Sequence, residues 1–202
     1  MSIVPAQSVS GFFVEVVEDA MKARRVEATE GATHYLVALL ADFAHPARTA
    51  GQTLERPMTI LLDEALHVPD PAERFERLRV LGDGVLYGCG FFGDHFEARG
   101  IDLAYMHGLG TRAYGAASSM LRTQEGQGPD LFGELAQKFG VFVDVVAEVA
   151  DATIAMGTES PKGLLKVYER WLKTGSERLA SALTSHGMVP TAPSRRVRGV
   201  LS

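Results

Sequence analysis

The sequence predicts an all-α protein, a single-domain bundle of about seven helices that includes a tightly packed glycine-rich helix pair. Three observations predict it. Apolar residues recur at spacings of three and four along most of the chain, the period of a helix with one buried face. Helix starts carry capping residues followed by proline, as at Asp70-Pro71 and Ser160-Pro161. No stretch combines strict alternation with turn dipeptides in the way that a sheet demands.

The first stripe is Phe12, Phe13, Val16, Val17, Ala20 and Met21, with acidic residues early and Lys22, Arg24 and Arg25 late, matching the helix dipole. Thr29 is an N-cap for a second helix with Ala32, Tyr35, Leu36, Leu39, Leu40 and Phe43 inward. Residues 44–56 are a polar connection, and Pro57 opens a third helix with the stripe Met58, Leu61, Leu62, Ala65 and Leu66. The fourth opens on a capping box, Asp70 with Glu73, and continues through Phe75, Leu78, Gly82, Val85, Cys89, Phe92 and Phe96 as one helix or two with a bend near Gly82. A fifth follows Asp102 with Leu103, Met106, Gly110, Ala113, Ala117 and Met120 inward. After a loop at 124–128, Pro129 starts a sixth through Leu135, Phe139, Phe142, Val146 and Val149 to a stop at Gly157. The seventh runs from Ser160 through Leu165, Tyr168, Leu172, Leu179 and Leu183 to Gly187. The domain is expected to cover 1–187, with a flexible basic tail over 188–202 that holds Arg195, Arg196 and Arg198.

Nine glycines fall between Leu78 and Ala117, at 82, 84, 88, 90, 93, 100, 108, 110 and 115. Each costs a helix roughly 0.5–1 kcal/mol relative to alanine. Such a run implies bare backbone, needed either for close helix crossing or for contact with a flat ligand. Gly88-Cys89-Gly90-Phe91-Phe92-Gly93 matches the spacing G-x-G-x-x-G, but a capped helical pattern precedes it where a dinucleotide site needs a buried strand. The fragment Leu81-Gly82-Asp83-Gly84 is superficially similar to the glycine-rich helix that haem oxygenases lay over haem. The histidine ligand expected near the start of that family has no counterpart here, so the family's cofactor is not carried over.

A net charge of −5 argues against a general nucleic-acid binder. A single cysteine, Cys89, excludes an internal disulfide and a zinc site of paired thiolates, and its place on an apolar stripe makes it an inert core thiol. No apolar run approaches the ~20 residues that span a bilayer, and Met1 to Ser10 does not read as a secretion signal. The expectation is a cytoplasmic protein with no membrane partner, and the absence of asparagine with an excess of arginine over lysine suggests a bacterial source.

No complete catalytic set is present. Glu64-Ala65-Leu66-His67 is one E-x-x-H unit where a di-iron bundle needs two, and both residues fall on the wet side of their helix, as His34 does on its own. Asp94, His95, Glu97, Asp102 and His107 form the densest polar group, read as capping and surface residues. Catalytic residues, metal ligands and cofactors are therefore expected to be none. A slot for a flat apolar ligand would draw on Gly84, Gly88, Phe91, Phe92, His95, Tyr105 and His107, with Tyr87 and Tyr114 nearby. A partner surface would draw on Lys166, Arg170, Trp171 and Lys173, a basic flank continued by Lys162 and set against an acidic flank of Glu134, Asp144, Glu148 and Asp151.

These features lead to a non-catalytic regulatory or adaptor protein that acts through protein–protein contacts and self-associates, as in a homodimer. The alternatives are a sensor or carrier for a haem-like or other flat small ligand, and a metal-dependent helical-bundle enzyme.

Overall fold

A computed structural model describes residues 9–44, 57–122 and 130–191, and every regular element within them is helical. In order these are α1 (Val9–Arg24), α2 (Glu30–Phe43), α3 (Met58–Leu66), α4 (Pro71–Ala98), α5 (Leu103–Arg122), α6 (Leu131–Gln137), α7 (Phe139–Ala155), a 3-10 turn (Met156–Glu159), α8 (Pro161–Thr174) and α9 (Glu177–Ser185). The all-α class stands. The loops expected near 44–56 and 124–128 and the tail arginines lie almost wholly or wholly outside the described residues.

The count differs from seven because two expected helices are each divided. Lys138 leaves helical geometry (φ −103°, ψ 20°) and separates α6 from α7. Gly175 adopts a left-handed conformation (φ 65°, ψ 19°) that ends α8, a conformation glycine reaches without penalty. The long fourth helix bends at Phe92 (φ −124°, ψ 17°), between Gly90 and Gly93, and not at Gly82. The chain clusters into two compact units that divide between Val149 and Ala150.

The caps follow local chemistry. Thr29 accepts from the Ala32 N–H, Asp70 from that of Glu73 at 2.7 Å, Asp130 from that of Gly133 at 2.7 Å and Ser160 from that of Gly163 at 3.0 Å. The Glu73 side chain pairs with Arg77. Each cap satisfies one of the four N–H groups that a helix start leaves open and contributes about 1 kcal/mol.

In the larger unit α4 is the central element and packs against α2, α3 and α5. Its middle is buried nearly all round, with Leu81, Gly82, Asp83, Gly84, Val85, Leu86, Gly88, Cys89 and Gly90 all inside. A helix surrounded on every side has no wet face, so its small residues make room for neighbours in several directions. α6 is tied back to the start of α2: the Thr29 N–H and hydroxyl both donate to the Glu134 carboxylate, and Lys138 Nζ bridges Glu134 and the Glu27 carbonyl at 2.9 Å.

In the smaller unit Val167, Trp171, Leu179 and Leu183 form the core. The 3-10 turn closes on the start of α8 so tightly that a Cβ at Gly163 would strike the Gly157 carbonyl. The buried stripe of α8 is therefore Val167 and Trp171. Leu165 and Leu172, expected inward, are 56% and 41% exposed.

Candidate functional site

The interior of α4 holds one carboxylate, Asp83, which is 7% exposed. Its Oδ1 accepts from the Tyr35 hydroxyl of α2 at 2.6 Å and from the Tyr114 hydroxyl of α5 at 2.7 Å. Its Oδ2 accepts from Arg79 Nη1 at 2.7 Å, one turn earlier on α4. Arg79 is held in turn by Glu76. A buried carboxylate without such donors would cost several kcal/mol. Burial holds the Asp83 carboxyl above its ordinary range, opposed by the two hydroxyls and the guanidinium. Burial, and then the Asp83 charge, keep both tyrosines protonated well beyond their ordinary value. Three of the roughly four acceptor positions of the carboxylate are filled by the protein itself. The arrangement clamps α2, α4 and α5 in register.

Two glycines beside this network are filled by neighbours. A Cβ at Gly82 would meet the Tyr114 ring at 2.5 Å, and one at Gly110 would meet the Phe139 ring of α7. At Gly90 the space belongs to Val146. Gly108 and Gly115, expected at the helix crossing, have no atom within 4 Å of a Cβ position. The bare positions thus receive side chains, two of them aromatic, from the elements around α4 and α5.

The residues expected to line a ligand slot are distributed over different surroundings. Gly84 and Gly88 are buried in α4. Phe91 stacks on Tyr87 at 4.6 Å between ring centres, and Tyr87 stacks on Phe43 of α2 at 4.2 Å. Phe92 meets Tyr87 edge-on but is 41% exposed, Tyr105 is 48% exposed, and His95 is exposed. His107 lies half-buried against Phe139 on α7, and its Nε2 is a buried nitrogen without a hydrogen-bond partner among the described residues. Cys89 is buried, which pushes its thiol up to about 12.

Among the described residues no three His, Cys, Asp or Glu side chains come together as a metal site. Glu64, His67 and His34 are exposed. Asp102 caps α5 by accepting from the Ala104 N–H at 2.9 Å. The expected acidic flank is largely consumed internally: Glu134 by Thr29 and Lys138, Glu148 by Arg24 at 3.1 Å, and Asp151 by Arg170 at 3.0 Å, while Asp144 is exposed.

The expected partner residues divide by face. Arg170 turns toward Asp151, and Trp171 is 6% exposed in the core of the smaller unit, so neither forms an open anchor. Lys162, Lys166 and Lys173 are exposed, and Leu165 and Leu172 stand with them on the outer side of α8. Leu165 and Leu172 lie two turns apart and share a line along the helix. Lys162, Lys166 and Lys173, at spacings of four and seven, form the adjacent line. Glu169 lies between the two lines.

Sequence reasoning missed the Asp83 network because two of its three donors come from residues 35 and 114, far away along the chain, and only Arg79 is local. It placed the α8 leucines inside because Leu165, Tyr168 and Leu172 fit helical spacing as well as Val167 and Trp171 do. Compared with family models, curated proteins and solved structures, the chain matches none.

Proposed function

We propose that the protein is a non-catalytic regulatory or adaptor protein that works through helix surfaces. The observation that carries this reading is the outer face of α8, where two leucines a heptad apart lie in solvent beside three lysines. Singly exposed apolar residues are ordinary, but two on one line with a basic flank have the form of a helix-to-helix contact. The polar groups of the interior support the same reading, since Asp83, Glu134, Glu148 and Asp151 all serve internal bonds. Self-association belongs to the same proposal.

Sedimentation velocity on the full chain, with capture of partners on the immobilised protein, tests it. Reversible association or saturable capture, lost in Leu165→Ser/Leu172→Ser, supports the reading. A lone monomer that retains nothing overturns it.

A second reading, small-ligand binding, is favoured by one observation: the buried Nε2 of His107 beside Phe139, which has no hydrogen-bond partner among the described residues. A buried ring nitrogen without a partner is costly and offers a hydrogen bond to a bound molecule. A thermal shift with haem or flavin that His107→Phe abolishes would support it. No shift with either would count against it.

A further inference from the structure

We propose that the outer face of α8 is a docking surface for an acidic amphipathic helix of another protein. This rests on the adaptor reading above and specifies the partner. The two exposed leucines supply a narrow apolar line suited to insertion into the groove of a facing helix. Lys162, Lys166 and Lys173 lie along one flank of that line only. The opposite flank is formed by Tyr168, half-buried on the core side. The basic strip stands on a chain whose overall charge is −5, so it is a local feature of this helix.

The one-sided placement of charge selects the occupant. A second copy packing α8 antiparallel on α8 about a two-fold axis would bring the two lysine flanks together. A parallel copy would set each lysine flank against the Tyr168 side, which carries no acidic residue, so neither arrangement neutralises the lysines. A helix with glutamates along the matching flank would give opposite charges there, which steer association and fix orientation. An anionic membrane is favoured less by the geometry: stable surface anchoring draws on a broad apolar face or four to eight basic residues, about twice what this face carries. Glu169, between the leucine and lysine lines, also opposes an anionic sheet of charge but leaves a helix partner room for a single basic residue opposite it.

The test uses the full chain and a fluorescein-labelled model peptide of about twenty residues, long enough to form a helix. It has leucines at spacings of three and four and glutamates on one flank. A lysine-flanked twin and vesicles of phosphatidylcholine with phosphatidylglycerol serve as comparisons. The expected result is saturable anisotropy with the acidic peptide, weakened as salt rises. Leu165→Ser/Leu172→Ser should weaken it at least about tenfold, and Lys162→Glu/Lys166→Glu should shift preference to the lysine peptide. All four positions are exposed, and unchanged far-ultraviolet circular dichroism establishes that the fold persists. Absence of binding to the acidic peptide, equal binding to both peptides, or binding to vesicles alone overturns the proposal. If the peptide fails while the full chain still associates or captures a partner in the sedimentation and capture experiments, this partner assignment falls and the adaptor reading stands. If both fail, the adaptor reading falls too.

Discussion

The ring of Tyr114 occupies the space that Gly82 leaves empty: a Cβ at residue 82 would stand 2.5 Å from Cε1. The same tyrosine places its hydroxyl 2.7 Å from Asp83 Oδ1, so one side chain of α5 fills a hole in α4 and satisfies the carboxylate next to it. The glycine and the aspartate, adjacent in sequence, thus both meet this one residue of α5.

Gly82→Ala and Gly110→Ala should each destabilise by about 1–3 kcal/mol, the cost of overpacking against a ring that cannot move away. Gly108→Ala and Gly115→Ala, where the added methyl meets open space, should instead stabilise by about 0.5–1 kcal/mol through helix propensity. Urea midpoints of the four variants check this. Equal losses at all four would contradict the assignment of the holes.

Tyr114→Phe removes a donor from a buried carboxylate and should cost about 1–3 kcal/mol. Combined with Asp83→Asn, the losses should be non-additive by about 0.5–3 kcal/mol, since both touch one network. A double-mutant cycle by chemical denaturation measures the coupling. Strict additivity would show that the bond contributes nothing in solution.

Glu134 and Asp83 should give opposite pH signatures. Burial raises Glu134, but hydrogen bonds from Thr29 and Lys138 outweigh it and hold its carboxyl below the ordinary value. Its stabilisation is therefore present above that ordinary value and is lost as the pH falls through the depressed one. Glu134→Gln should flatten the acid loss. Asp83 is held high by burial, so its contribution is fully present below the ordinary carboxylate value and is lost as the pH rises through the raised one. Asp83→Asn should remove that loss. Denaturant titrations between about pH 3 and 7 separate the two slopes, and parallel slopes in both variants would refute the assignment.

Cys89 should be inert in the native protein, because burial keeps its thiol protonated up to about 12. Ellman's reagent should react with one thiol per chain only after denaturation. Rapid reaction with the folded protein would mean that α4 opens to solvent at that point.

Much of the secondary structure was legible locally. Thr29, Asp70 and Ser160 cap the helices that their neighbours in sequence announce, because a cap bonds to an N–H two or three residues away. The break at Thr174-Gly175-Ser176 was equally local, a left-handed glycine followed by the residue before a new helix, but a continuing leucine rhythm hid it. The direction of the α8 stripe was not legible: Leu165 and Leu172 fit the period as well as Val167 and Trp171, and only the packing of α9 and the turn against one side decided between them.

The sequence by itself determined that the chain is helical, where most helices start, and that the middle of α4 must present bare backbone. The tertiary structure alone decided which neighbours meet it, that Asp83 is satisfied by Tyr35 and Tyr114, and that the acidic flank is largely spent on internal bonds. The physical reason is range. Caps and periodicity act over a few residues, whereas filling a hole beside a glycine or satisfying a buried charge takes groups that only the folded chain brings together.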